Sequence, residues 1–338
     1  MRITRRNALQ AALAAALSGW LPAAGAAPRK ELRVATVAPA GSSFHKRLQS
    51  LSAEWSRGPG GVTMNIYPGT QGGELQIVRR MRVGQIQGAA LTSVGLGQID
   101  RSVTALQFMP LMFRDWDDVD RVRERLRPEL ERRLLAAGYV AMFWADAGWV
   151  RYFSKTPIRS VRDLKPLRVY ASSGDPDSIE MMKSYYTPVV LEPDQILLGL
   201  RNGMIDALPV PAFLANFNQV AAYAPYMLDL NWAPITGALV VTDRAWKQFD
   251  AGTRDWLRES SGRAGDEMRR AARAEDEAAV QAMKDKHGLK VVALSAEAES
   301  EFRSEVARLY PRIRGTLVPE PMFDAAVATL KAGGQPAK

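Results

Sequence analysis

The chain has 338 residues, a formal net charge of +9 and no cysteine, and 47% of its residues are hydrophobic. This is the composition of a globular protein with a sizeable core, and it excludes disulfides, thiol nucleophiles and zinc sites built on thiolates. The basic run Arg121–Arg133 alternates arginine with glutamate, which is typical of a solvated helix face. Without an accompanying motif, the positive charge does not indicate nucleic-acid binding.

The first 26 residues have the pattern of a secretory signal. Three arginines precede an apolar stretch, Ala8–Leu21, and small residues follow it at Ala24–Ala26. We therefore expect cleavage near Ala26/Ala27 and export to the periplasm. The segment Thr4–Leu9 resembles a twin-arginine signal, so the export route stays open. The apolar stretch is too short to span a bilayer, and we expect a protein that is not embedded in the membrane.

Strand and helix patterns alternate after this leader. Glu31–Val37 alternates apolar and polar residues, as a strand does, and Ser42 or Ser43 can cap the helix that follows. This order predicts a largely parallel sheet with helices on its faces. The further elements are a strand over Val62–Tyr67, a helix over Glu74–Val83 and a buried strand over Ala89–Thr92.

A second α/β unit begins near Gly148, and a long helical pattern, Asp250–His287, ends at Gly288. No internal repeat and no long linker is present, so we expect two similar α/β lobes with a chain that returns between them. The predicted strands are Arg168–Tyr170, Pro188–Leu191, Ile205–Leu208 and Leu289–Leu294, and the predicted helices are Ser178–Ser184, Asp194–Asn202 and Phe213–Ala222.

Five short segments, in this order and spacing, resemble the DctP-type solute receptors of tripartite ATP-independent periplasmic (TRAP) transporters. Each segment is a weak signal by itself, and their succession over roughly Leu32–Tyr310 makes the resemblance specific. The segments are Tyr67–Gly69 with Gly72–Glu74, Arg82–Gln87, Met109–Phe113 with Val119–Asp120, Gly148–Arg151 with Pro157–Ile158 and Asp163–Lys165, and Leu200–Asp206.

The resemblance implies an α/β, two-lobed fold of the class II periplasmic-binding-protein type, with a hinge and a long shared C-terminal helix. We expect lobe I over residues 27–149 and about 236–252, lobe II over residues 150–235 and about 289–338, and the helix over about residues 253–287. It also implies that a small carboxylate-bearing solute binds between the lobes and that the receptor docks on the membrane subunits of the transporter. We expect a monomer without a cofactor or a resident metal.

Arg168 is the first candidate for ligand binding. In the predicted strand, Leu167 and Val169 share one face and Arg168 and Tyr170 share the other. A guanidinium matches a carboxylate with two parallel hydrogen bonds, and the resemblance places the family's ligand-clamping arginine in this strand. The alternative is a surface arginine or a structural ion pair.

Further candidates supply charge, aromatic faces or hydroxyls. Arg151 offers a second positive group or is a surface arginine of an edge strand, and the aromatic candidates either stack on a ligand or belong to the core. Thr92 and Ser93 end a strand where open α/β sheets place ligands, and Ser42, Ser43 and Asp175 either reach the same cleft or shape turns and caps. The aromatic candidates are Trp149, Tyr170, Phe213 and Trp232.

Val210 occupies a position where many relatives place asparagine, by the same resemblance. Its side chain predicts an apolar pocket wall, which argues against a heavily hydroxylated sugar acid. A keto, aliphatic or aromatic acid is the expected ligand.

Two other functions compete with transport. An enzyme would need a nucleophile and a base in partnership, and the chain offers only His45 and His287, with no recognisable catalytic motif. A periplasmic sensor for a signalling receptor would bind the same ligand, and only neighbouring genes would separate it from a transport receptor.

Overall fold

The computed structural model describes residues 30–172 and 176–334, where the chain forms ten strands and twelve α-helices. The predicted leader, residues 1–26, lies outside this part of the chain. The strands are β1 (Glu31–Thr36), β2 (Thr63–Pro68), β3 (Gly88–Thr92), β4 (Tyr139–Ser154), β5 (Arg168–Ala171), β6 (Thr187–Val190), β7 (Ala207–Pro211), β8 (Tyr226–Leu228), β9 (Ala233–Thr242) and β10 (Lys290–Val292).

The helices cover the faces of the sheet, and none of those in the described ranges is long and apolar enough to cross a membrane. They are α1 (Ser43–Arg57), α2 (Glu74–Arg82), α3 (Ser93–Gly97), α4 (Trp116–Ala136), α5 (Pro176–Met182), α6 (Ile196–Arg201), α7 (Ala212–Phe217), α8 (Asp243–Trp246), α9 (Ala251–His287), α10 (Ala296–Ala307), α11 (Tyr310–Thr316) and α12 (Glu320–Ala332).

All ten strands belong to one sheet, whose main order is β2-β1-β3-β9-β4-β7-β5-β6, with β8 pairing both β4 and β10. Strand β1 lies parallel to β2 and β3, and β5 lies parallel to β6 and β7, as predicted for each lobe. The centre differs from the prediction, because β9 is antiparallel to both β3 and β4, and β4 is antiparallel to β7. The two parallel units are therefore joined through a shared antiparallel centre.

Strand β4 is 16 residues long and extends from one parallel unit into the other. Nearly all of its residues are buried, so its sequence lacks the alternation that identifies a half-buried strand. The predicted lobe boundary at residues 149 and 150 falls inside β4. Gly148 lies at a bulge between Asp146 and Trp149, with a φ of +97° that favours glycine.

Helix α9 has 37 residues and is about 55 Å long at 1.5 Å per residue. The Asp250 side chain caps its first turn, and Gly288 ends it in the left-handed conformation. The helix packs against α1, β4 and α7, so it contacts both parallel units. It is the long shared helix that the sequence predicted.

Helix α4 contains the basic run, and most of its arginines pair with glutamates or aspartates on its surface. Arg123 differs from them in being buried, and it bonds Asp146 of β4 at 2.8 Å in addition to Asp120 of its own helix. Arg273 of α9 also bonds Asp146, at 2.6 Å. This buried network fixes the middle of β4 to α4 and α9.

Candidate functional site

A cavity of about 270 Å³ lies where the two parallel units meet. Its walls come from β4, β5, β7 and the start of β9, from α3, α5 and α11, and from the chain around residue 108. It is lined by Val94, Gln107, Phe108, Pro110, Val150, Tyr152, Tyr170, Ala171, Ser172, Ser178, Ile179, Met181, Met182, Tyr185, Tyr186, Pro209, Trp232, Ala233, Ile235, Leu309, Ile313 and Leu317.

Strand alternation in β4 decides which of its side chains enter the cavity. Val150 and Tyr152 line it, whereas Arg151 points to the opposite face and reaches acidic residues of α9. Phe153 lies on that opposite face as well, in the core with Met283 of α9. Adjacent strand residues face opposite sides of a sheet, so the aromatic and the cationic side chains are separated by the strand itself.

Aromatic rings form one wall of the cavity. The Tyr152 ring packs edge-on against Trp232, with ring centroids 5.2 Å apart, and against Tyr186 at 6.2 Å. The Tyr152 and Tyr186 hydroxyls hydrogen-bond each other at 3.3 Å, and the Tyr185 hydroxyl donates to the Glu305 carbonyl at 2.8 Å. These hydroxyls already have partners within the protein, so the rings present mainly apolar surface to a ligand.

The tyrosines of the cavity are neutral at physiological pH. Burial raises the pKa of Tyr170 and of Tyr186 to about 12, and it raises the pKa of Tyr152 well above its ordinary value. The Tyr170 side chain also hydrogen-bonds Ser172. The aromatic wall therefore carries no negative charge that would repel an acid.

Polar groups in the lining are few and uncharged. None of the lining residues that the structure describes is an acid, a histidine, a lysine or an arginine. The Gln107 side-chain oxygen is buried without a hydrogen-bond partner, so it can accept a hydrogen bond from a ligand. Among residues 30–172 and 176–334 no cluster of three or more histidine, aspartate or glutamate side chains is suited to hold a metal.

Arg168 does not line the cavity. It stands at the first position of β5, with 48% of its side chain exposed, and forms two hydrogen bonds of 2.8 Å with the Asp206 carboxylate. The hydrogen bond from the Arg168 side chain, more than any other contact, holds the pKa of Asp206 below its usual value. The guanidinium fork thus has a protein carboxylate as its partner, which is the structural ion pair left open by the sequence.

Arg151 and Trp149 also lie outside the cavity. Arg151 is buried, bonds Glu277 at 3.0 Å and Asn231 at 3.1 Å, and lies 3.8 Å from Asp276. Trp149 is buried against Trp116, with ring centroids 4.8 Å apart. Both side chains anchor β4 to helices behind the sheet.

The predicted hydroxyl candidates have structural roles as well. Thr92 caps α3 and donates from its hydroxyl to Glu74 at 2.6 Å, and Ser93 is buried beside Thr236 at 2.8 Å. Burial raises the pKa of Glu74, which also accepts from backbone N–H groups at Thr92 and Gly95. Ser42 caps α1.

Phe213 packs in the core, and its backbone N–H donates to Asp276 at 3.1 Å. Asp175 lies outside the described residues. Of the eight candidates that the structure describes, Tyr170 and Trp232 line the cavity.

Several lining residues were not expected from the sequence. Val210 is buried in the core beside α9, and its neighbour Pro209 provides the apolar wall instead. Tyr152 was missed because β4 is buried on both faces, so alternation places Tyr152 and Arg151 on opposite sides without showing which of them faces the cavity. Ile313 of α11 and Leu317, which directly follows it, lie far along the chain, and no local pattern in the sequence connects them with β4.

Comparisons with known proteins agree with this architecture. The sequence profile of the DctP family, described as bacterial extracellular solute-binding protein, family 7, matches residues 34–315. The C4-dicarboxylate-binding periplasmic protein DctP of Rhodobacter capsulatus is 23% identical over 275 residues, which are 80% of this chain and 82% of that protein.

Two solved TRAP periplasmic solute-binding proteins have the same fold. One, from Xanthobacter autotrophicus Py2 with bound β-D-galacturonate, has a TM-score of 0.80 and 21% identity, covering 89% of this chain and 99% of that one. The other, from Shewanella oneidensis with bound succinate, has a TM-score of 0.81 and 17% identity at the same coverage. The two-lobed α/β fold predicted from the sequence is confirmed.

The profile match spans most of the chain and includes every residue that lines the cavity except Leu317. The resemblance seen in the short sequence motifs is likewise confirmed. The chain belongs to the DctP family, family 7 of the bacterial extracellular solute-binding proteins.

Proposed function

We propose that this protein is the periplasmic solute receptor of a TRAP transporter and that it binds a small organic acid in the cavity between its lobes. The observation that carries the proposal is an aromatic cavity at the meeting point of the two parallel units, in a family of extracellular solute-binding proteins. The named relatives bind C4-dicarboxylates, galacturonate and succinate, all of which are organic acids.

The proposed partners are the solute and the membrane subunits of the transporter, and the proposed receptor is a monomer. Deleting the gene should abolish uptake of the solute, and re-expression should restore it. Uptake that continues at the wild-type rate in the deletion strain would contradict the transport role.

Binding without chemical conversion is part of the proposal. His45 accepts a hydrogen bond from the Gly41 backbone at 3.0 Å, and His287 lies in the last turn of α9. Neither histidine lines the cavity. A solute incubated with the protein should therefore be recovered unchanged.

Export is proposed from the N-terminal sequence. Cleavage near Ala26/Ala27 would release a mature chain that begins just before β1. N-terminal sequencing of the periplasmic protein should find this start, and an intact Met1 on a cytoplasmic protein would contradict it.

The ligand class is tested by thermal denaturation of the mature protein with a panel of organic acids. A ligand at a hundred times its Kd stabilises the folded state by about 2.7 kcal/mol, which raises the melting temperature measurably. Neutral sugars of similar size are the control. The proposal fails if no acid of the panel raises the melting temperature at millimolar concentration.

A further inference from the structure

We propose that the solute is a monocarboxylic acid with an aromatic or branched aliphatic body, that this body fills the cavity, and that the carboxylate stays at the opening. The inference rests on the proposed function and narrows its ligand class. It follows from the charges, the hydrogen bonds and the exposure of the side chains around the cavity.

The two candidate arginines lie outside the cavity and are already paired with protein carboxylates. Arg168 pairs with Asp206 at the far end of β5, and Arg151 pairs with Glu277 behind β4. No lining residue in the described part of the chain replaces them. An anion inside the cavity would lose its hydration without gaining an ionic partner, and such burial is costly.

The cavity walls offer few hydrogen bonds to a ligand. The hydroxyls of Tyr152 and Tyr186 bond each other, and that of Tyr185 bonds a backbone carbonyl. The unpaired Gln107 oxygen can accept one hydrogen bond from a ligand. A ligand with many hydroxyls, such as a uronic acid, would bury more donors and acceptors than this one group satisfies. The walls are suited to a body that makes van der Waals and ring contacts.

Solvent exposure decreases from one end of the cavity to the other. Ser172 is exposed and Ser178 is partly buried, whereas Tyr152 and Ile313 are at most 1% exposed. A carboxylate near the two serines keeps contact with water, while the body of the ligand reaches the buried rings. At about 270 Å³, the cavity lies just below the usual range of about 300–1,000 Å³ for drug-sized ligands, so a small acid fits it.

The experiment is calorimetric titration of the mature protein with four acids, a smaller and a larger one of each kind. 3-Phenylpropanoate and 4-methylpentanoate carry one carboxylate and an apolar body, whereas succinate and D-galacturonate carry a second charge or several hydroxyls. We expect the apolar monoacids to bind at least about tenfold more tightly than either polar acid, because only their bodies gain from burial. This comparison uses the unaltered protein.

Two variants locate the bound body. Trp232→Ala should weaken binding of 3-phenylpropanoate by about tenfold or more, because it removes the ring that packs against Tyr152. Tyr223→Ala, at an exposed aromatic residue outside the cavity, is the control and should leave the affinity unchanged. An affinity that Trp232→Ala does not reduce, in a variant that still folds, would overturn the placement.

The outcomes separate this inference from the proposed function. Succinate or galacturonate binding as tightly as both apolar acids would overturn the inference and leave an organic-acid receptor in place. Failure of all four acids, with binding of the neutral 3-phenylpropanamide, would overturn both the inference and the proposed acid ligand. Tighter binding of the apolar acids supports both.

Discussion

At the scale of single residues, Arg168 and Tyr170 lie two positions apart in β5 but have different roles, one in an ion pair and the other in the cavity wall. Both side chains were expected on one face of β5, yet Arg168 starts the strand and bonds Asp206, while Tyr170 lines the cavity. The ion pair satisfies both charges in the protein. The edge of the guanidinium that carries Nε and Nη2 is occupied by Asp206, so this two-pronged edge is not available to a carboxylate ligand.

The Arg168→Ala variant tests this assignment. It should leave the Kd of the solute within about threefold, because the side chain does not line the cavity. A loss of about thirtyfold or more would instead place the guanidinium on the ligand. Calorimetric titration of the variant and of Asp206→Asn, the matched change in its partner, measures both effects.

The same variant has a predictable effect on acid stability. Because the pKa of Asp206 is lowered in the folded state, its ionised form stabilises the fold above the unfolded-state pKa of about 3.9, and this contribution is lost as the pH falls through the lower folded value. The melting temperature of Arg168→Ala should therefore be slightly below that of the wild type at pH 7. The difference should shrink below about pH 4, and a constant difference would contradict the role of the pair.

At the scale of secondary-structure elements, α9 and β4 are held together through Asp276. Its buried carboxylate accepts hydrogen bonds from the backbone of Trp149 in β4 at 3.2 Å and of Phe213 in α7 at 3.1 Å. Burial raises the pKa of this carboxyl group. A Cβ at Gly148 would come within 2.5 Å of the carboxylate, so the bulge in β4 leaves room for this contact.

Asp276→Ala should lower the free energy of unfolding by about 2–4 kcal/mol. The change leaves two buried N–H groups without acceptors and removes an acidic neighbour of Arg151. Chemical denaturation measures the loss. Asp266→Ala, at an exposed position of the same helix, is the control and should change little. Equal effects of the two substitutions would contradict the proposed role of Asp276.

At the scale of the whole molecule, the shared strands and the long helix suggest how the lobes move. Strands β4 and β9 and helix α9 connect both parallel units, and the cavity lies where these units meet. The two units also approach each other at Gly73, where an added Cβ would lie 3.6 Å from Glu192 of the other unit. We expect the two units to close over the cavity about these shared elements, as in hinge closure, with few changes of the contacts inside each unit.

Solute binding should therefore reduce the radius of gyration without dimerisation. Small-angle scattering of the mature protein, with and without saturating 3-phenylpropanoate, measures this change. Trp232→Ala at the same ligand concentration is the control, because it should stay closer to the unliganded profile. An unchanged profile of the wild-type protein at confirmed saturation would count against closure.

The sequence by itself determined the family, the fold class, most of the strands and helices, and the long helix. These features depend on local patterns, each of which spans only a few residues. Examples are the helix cap at Ser42, the helix end at Gly288 and the alternation in β1. The motifs also identified the family because they retain their order along the chain. The expectation of an apolar, non-sugar acid came from Val210, which lies in the core. Its support now comes from the uncharged cavity lining and from the paired hydroxyls of Tyr152 and Tyr186.

Only the tertiary structure decided which side chains meet at the cavity. Strand β4 is buried on both faces, so its sequence did not show whether Arg151 or Tyr152 would face the site. The contribution of α11 depends on packing between residues more than 100 positions apart, such as Ile313 and Tyr152. The partner of Arg168 was also hidden, because Asp206 reaches it only when β7 pairs beside β5. Side-chain partnership is set by strand pairing and packing, and a one-dimensional pattern does not contain either.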